Sequence, residues 1–78
     1  MAPEAVVARV LGLPRRAVSD GTSNTSEEAW DSLNHVTLIL ELEAAYGVSF
    51  SAEESLAMTD VAAIKRVLRT HGVQWDGL

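Results

Sequence analysis

The sequence contains no cysteine, which excludes disulfides, zinc–thiolate sites and any native thiol chemistry. Thioester chemistry in such a chain must use a thiol supplied from outside the sequence. Aromatic residues make up only 5%, proline occurs twice and glycine five times, yet 47% of residues are apolar, which suits a compact fold. No apolar run approaches the roughly 18–20 residues that a membrane-spanning helix needs. The start carries Glu4 and lacks a basic segment followed by an apolar one, so a secretory signal is not expected and a cytoplasmic location is. Positive charge is missing from the middle of the chain. Residues 17–64 hold nine acids and no Lys or Arg, and the six basic residues are Arg9, Arg15, Arg16, Lys65, Arg66 and Arg69. An acidic centre repels phosphate backbones and attracts basic protein patches, so no nucleic-acid partner is expected. The plainer reading of the same charge is ordinary solubilisation.

Size sets a further bound. Residues 1–78 read as one domain with a core over about 3–71 and a tail over 72–78. A chain this short buries only about 60–65% of the surface that its unfolded form exposes. That leaves no room for a deep substrate pocket beside a core, and an enzyme acting alone is not expected.

The pattern is all-α. Pro3 and Glu4 suit a first helical turn, and Val6, Val7, Val10 and Leu11 recur at helical spacing, predicting a helix over 3–11 that Gly12 and Pro14 stop. Residues 13–30 show no sustained periodicity and are rich in Ser, Thr, Asp, Asn and Gly, a long loop that Leu13 and Val18 pin to the core. A second helix starts at Asp31 or Ser32, both good capping residues, and runs to Tyr46, with Gly47 at its C-terminal turn. Ser51-Ala52-Glu53-Glu54 matches a capping box for a short third helix ending near Met58. Thr59 or Asp60 caps a fourth, striped by Val61, Ile64, Val67 and Leu68 and closed by Gly72, after which the tail through Trp75 is expected to be loosely ordered.

The second helix has one apolar face more than a small bundle needs. At about 100° per residue, Leu38, Ile39, Leu42, Ala45 and Tyr46 share one sector with His35. Leu33, Val36, Leu40 and Ala44 lie nearly opposite. The aromatic-containing sector is the better core candidate. The other then reads as a docking surface, unless the first helix or the long loop covers it.

Ser32 sits where the long loop becomes this helix and admits three readings. As a structural residue it is an N-cap, the commonest role of a serine there. As a nucleophile it would need Asp31 and His35 to complete a triad, but all three fall within one turn and no Gly-x-Ser-x-Gly elbow is present. As an attachment point it is well placed, because the free N–H groups and partial positive charge of a helix N-terminus tolerate a phosphodiester. His35 and His71 lack a further His or Cys at ligand spacing, so no metal site is expected. His35 reads as a core-edge residue, His71 as a partner of the C-terminal helix dipole, and Trp30 as packing at the loop–helix junction, with a role beside a group attached at Ser32 as its alternative.

These residues resemble a known family. Asp31-Ser32-Leu33 resembles the Asp-Ser-Leu attachment motif of acyl carrier proteins, and the run from Trp30 through Leu42-Glu43-Ala44-Ala45-Tyr46-Gly47-Val48-Ser49-Phe50 is similar to their second helix and its exit. Leu11-Gly12-Leu13 and Thr59-Asp60-Val61 extend the likeness to about residues 3–71. The resemblance implies a four-helix bundle of the acyl-carrier type, with a long loop between helices 1 and 2 and a short third helix. It implies a covalent 4'-phosphopantetheine taken from coenzyme A and placed on Ser32, within the Asp31 motif, by a phosphopantetheinyl transferase that uses Mg²⁺. It further implies a non-catalytic, monomeric carrier that presents thioester-bound acyl groups to acyl-loading and acyl-processing enzymes, which contact Leu33, Val36 and Leu40. Asn34, Thr37, Ala44 and Ala45 stand where housekeeping fatty-acid carriers usually bear acids. The Trp-Asp-Ser-Leu form is more like discrete carriers of polyketide, glyceryl-unit or surface-polysaccharide pathways. Peptidyl carriers usually show glycines before the serine, and Glu28-Ala29-Trp30 does not match. The alternative from another class is an unmodified helical interaction module using the same apolar face.

Overall fold

A computed structural model describes residues 1–75. Its helices are α1 (Pro3–Leu11), α2 (Ser32–Tyr46), α3 (Ala52–Ala57) and α4 (Val61–Thr70), with one 3₁₀ turn over Arg15–Ala17 in the long loop. Among the described residues there is no strand beyond a single bridge between Ser23 and Asp60. The fold is the all-helical acyl-carrier type that the resemblance implies, and no described helix is long and apolar enough to cross a membrane.

Local chemistry explains the helix ends. Pro3 opens α1, where its missing N–H costs nothing. Gly12 closes α1 at φ +69, a conformation that a β-carbon would strain. Asp31 caps α2, its side chain accepting from Asn34 N–H at 2.8 Å, and Asp60 caps α4 through Ala63 N–H at 2.7 Å. Ser51 and Glu54 form the reciprocal capping box of α3. At the far end of α4, Val73 N–H reaches the Leu68 carbonyl and Gly72 N–H the Arg69 carbonyl, a Schellman closure that turns the chain back.

The core gathers Val6, Val7, Ala8 and Leu11 of α1, Leu38, Ile39 and Leu42 of α2, and Val61, Ile64 and Leu68 of α4, with Val18, Trp30 and Met58 from the connections. Helix α1 packs against both α2 and α4. Each fully buried Leu or Ile contributes about 1.5–3 kcal/mol relative to an exposed position. A polar brace closes the outside of this layer. Lys65 on α4 reaches Glu4 on α1 and Asp20 in the loop, both at 2.6 Å, and Arg15 stands 3.9 Å from the same Glu4 carboxylate. Burial acts to raise the Glu4 carboxyl, but the Lys65 bond, its own backbone N–H and the nearby cations outweigh it and hold the group below 4.5. The bonds from Asp20 and Glu4 push Lys65 above 10.5 against the opposing effect of burial.

Helix α3 is held differently. None of its residues is buried, and it sits between two better-anchored residues, half-buried Phe50 before it and fully buried Met58 after it. Polar ties complete the attachment: the Ser55 carbonyl lies 2.8 Å from His35 Nε2, and Glu54 Oε2 lies 2.9 Å from His71 Nε2. The Ser51 backbone N–H holds Glu54 below the usual carboxylate range against burial, and the His71 contact works in the same direction.

Two expectations change. The tail through Trp75 is not loose: Val73 and Trp75 pack against the core, and the Arg69 guanidinium lies 5.0 Å from the Trp75 ring centre. Residues 76–78 of the expected tail lie outside the described residues. Ala45, placed on the core sector by the wheel, is exposed, because the buried arc of α2 is only as wide as Leu38, Ile39 and Leu42.

Candidate functional site

The long loop is an ordered platform. Val18 is buried in the core, and Thr22 is buried with its hydroxyl accepting from Ser19 N–H. The first N–H groups of α4 then find loop acceptors: Val61 donates to the Thr22 carbonyl at 3.0 Å and Ala62 to the Asp20 carbonyl at 3.2 Å. Helix starts carry orphan donors, and here a loop satisfies two of them. Asn24 N–H bonds the Thr59 carbonyl, and a cluster of Ser23, Thr25 and Ser26 hydroxyls shapes the next turn. Glu27 and Trp30 continue the path with N–H bonds to the Ser23 and Glu27 carbonyls. The loop therefore delivers residue 31 to a set position at the head of α2.

At that position the two capping candidates separate. Asp31 takes the cap and Ser32 becomes the first helical residue, exposed and with no hydrogen bond from its hydroxyl to any described residue. The structural role suggested for the serine belongs to its neighbour. Asn34 reinforces the junction by donating from Nδ2 to the Ala29 carbonyl at 2.8 Å. That tie went unseen in the sequence, where an Asn three residues into a helix carries no distinct signal.

His35 settles the hydrolytic reading. Trp30 Nε1–H donates to His35 Nδ1 at 3.0 Å, and indole nitrogen is a donor only, so Nδ1 is the acceptor. The neutral ring then carries its proton on Nε2 and donates to the Ser55 carbonyl. Both nitrogens are engaged away from Ser32, so His35 is not free to act as a triad base toward the hydroxyl. Trp30, 2% exposed, packs at the loop–helix junction as its position suggested.

Beyond the serine, Leu33, Val36 and Leu40 are 75%, 58% and 59% exposed. Neither α1 nor the loop covers them. Two acids of α2 are committed to other partners. Glu41 pairs with Arg9 at 2.9 Å, and Glu43 accepts from Phe50 N–H at 2.8 Å. Thr37 bonds back to the Leu33 carbonyl. What remains is an apolar strip descending from Ser32, with Leu56 of α3 also bare at 77%. Leu56 belongs to this surroundings and was not anticipated; a six-residue helix gives too short a period to tell its faces apart.

The family model described as "phosphopantetheine attachment site" matches residues 4–68. The chain belongs to that family. Its members carry 4'-phosphopantetheine covalently, as acyl carrier proteins do, and such carrier domains are typically non-catalytic. The match takes in α1, the loop, α2, α3 and most of α4, so the ordered platform and the bare serine lie within it. No curated protein matches this member of the family. Its residues fit the group: an exposed hydroxyl with no partner among the described residues, at the positive end of a 15-residue helix, accommodates a phosphodiester without displacing any bond to them.

Proposed function

We propose that residues 1–78 form one acyl carrier domain, not itself an enzyme, with its attachment point at Ser32 and Asp31 as part of the motif. The observation that carries this reading is the Ser32 hydroxyl, exposed and unpartnered because Asp31 performs the capping that would otherwise occupy it. When bound, phosphopantetheine supplies a flexible arm whose terminal thiol holds acyl groups as thioesters. Ser32 Oγ forms the new phosphorus–oxygen bond while the pyrophosphate of coenzyme A breaks, the adenosine bisphosphate leaves and the hydroxyl proton passes to the transferase. Asp31 keeps the first turn closed and the serine in place. Leu33, Val36 and Leu40 serve as the contact strip for the transferase and for acyl-loading and acyl-processing enzymes, because exposed apolar side chains gain free energy when a partner buries them.

The surface favours a specialised pathway over housekeeping fatty-acid synthesis. On the exposed face after Asp31, Asn34, Thr37, Ala44 and Ala45 carry no charge and Glu41 is paired with Arg9, so fewer carboxylates face a strongly basic partner than these positions could hold. Polyketide, glyceryl-unit and surface-polysaccharide assembly are the candidate settings.

Intact mass after incubation with coenzyme A, Mg²⁺ and a broad-specificity phosphopantetheinyl transferase tests the reading. The expected result is a gain of one phosphopantetheine that disappears in Ser32→Ala. A folded protein that gains nothing refutes the carrier and leaves an unmodified interaction module using the same strip.

A further inference from the structure

Beside Ser32 lies an open hollow of about 480 Å³, lined by Asn24, Trp30, Asp31, Ser32, His35, Leu56 and Thr59. Its rim is mixed. Asn24, Ser32 and Thr59 are exposed and make no side-chain hydrogen bond to any described residue, while Leu56 gives one apolar wall. Its floor is closed. Trp30 lines the hollow and is at the same time a member of the core. The Trp30 indole and the His35 imidazole lie nearly parallel, 22° apart with centroids at 6.3 Å, and are joined by the Nε1–H to Nδ1 bond. His35 passes the connection to the Ser55 carbonyl. The three residues form a crossbar from the loop through α2 to α3, and Trp30 belongs to the same core as the fully buried Leu38, Leu42 and Met58.

We infer that this crossbar bars acyl cargo from the bundle interior, so that the carrier holds its cargo in the outer hollow and is suited to short, polar acyl units. The inference rests on the carrier reading above. A long alkyl chain gains by leaving water only if it reaches the core. To do so here it must displace a buried indole and strand the two groups of its hydrogen bond, the indole N–H and His35 Nδ1. A hydroxylated or otherwise polar acyl unit of a few atoms needs no such entry. It finds donors and acceptors on Asn24 and Thr59 and one apolar contact on Leu56. Trp30 and His35 are thus positioning residues for cargo selection, and they touch no reacting atom.

The test charges the native protein with acetyl, 3-hydroxybutyryl or decanoyl groups by transferase reaction with the matching coenzyme A thioesters, and intact mass verifies each product. Two readouts follow: the ¹⁵N-resolved Trp30 indole N–H, with its hydrogen exchange, and the rate at which hydroxylamine releases the acyl group. The expected result is one indole position and exchange rate for all three forms, with release rates that agree within about twofold. A decanoyl form with a displaced indole signal and release slowed more than about fivefold overturns the exclusion while leaving the carrier reading intact. Absence of mass gain in every form overturns the carrier reading and the inference together. Two variants isolate the crossbar. His35→Ala should admit decanoyl and slow its release by more than about fivefold, whereas His35→Gln, which keeps a donor toward the Ser55 carbonyl, should behave as native. Equal release from His35→Ala and native protein, with helical circular dichroism retained, also overturns it. Should His35→Ala fail to fold, the native comparison alone decides.

Discussion

The assignment of the cap to Asp31 and of the free hydroxyl to Ser32 makes adjacent residues behave in opposite ways. Asp31 Oδ1 accepts from Asn34 N–H at 2.8 Å, a good geometry for one of the orphan donors of α2. Replacing such a cap with alanine costs about 1 kcal/mol. In a domain of this size that lowers Tm by roughly 4–8 °C. Asp31→Asn keeps the acceptor and loses only the favourable charge at the helix N-terminus, about 0.3–1 kcal/mol at an exposed site. Ser32→Ala removes a hydroxyl that bonds to no described residue, so its stability should stay within about 0.5 kcal/mol of native. The assay is thermal and urea unfolding followed by circular dichroism at neutral pH, run beside the mass assay for phosphopantetheine. The expected pattern is a stability loss with Asp31→Ala and complete loss of modification without stability loss in Ser32→Ala. If Ser32→Ala lost about 1 kcal/mol while Asp31→Ala lost nothing, the cap would belong to the serine. The argument for a free nucleophile would then collapse.

Other consequences are simpler to state. Leu38→Ala or Ile64→Ala should cost about 2–5 kcal/mol in urea unfolding, because each side chain is fully buried. Leu33→Ala, Val36→Ala and Leu40→Ala should each stay within about 0.5 kcal/mol yet weaken transferase or partner binding, measured by titration calorimetry. Trp30→Phe removes the indole donor and leaves His35 Nδ1 without its partner; a loss of about 1–3 kcal/mol is expected, with the His35 ring signals shifted in NMR spectra. The Glu4 carboxyl is held below 4.5 in the fold, so its contribution is complete above that pH and is lost as the pH falls through the lowered value. Glu4→Gln should therefore flatten the acid side of the stability profile. Lys65, raised above 10.5, contributes fully below that pH and loses its contribution only as the pH rises through the higher value; Lys65→Met should flatten the alkaline side.

Particular residues show how far reading the chain alone reaches. The bounds of α1 and α2 were legible because their signals are local: Pro3 and Gly12 around one, Asp31 and Gly47 around the other. The capping box at Ser51 marked α3 for the same reason. Between Asp31 and Ser32 the cap stayed ambiguous, since both side chains suit the position and one residue of register separates them. The apolar excess on α2 pointed to a bare strip, and the Tyr46-containing sector was already the better core candidate; whether α1 or the loop covered the Leu33–Val36–Leu40 sector was open. Trp75 gave no signal, because its contact with Arg69 depends on the turn after α4 bringing the chain back.

From sequence alone came the number and order of helices, the lack of any thiol of its own, the attachment motif and the presence of two apolar sectors on the second helix. Each is a matter of composition or of neighbours within one or two turns, where chain connectivity fixes distance. Tertiary packing decided the rest: that Leu38, Ile39 and Leu42 turn inward while Leu33, Val36 and Leu40 face water, that Lys65 braces Glu4 and Asp20, and that Trp30 and His35 lock onto Ser55. Periodicity says which side chains share a face, and only the folded chain says what stands opposite that face. Burial and hydrogen-bond partnership across 20 or more residues of separation depend on that second fact.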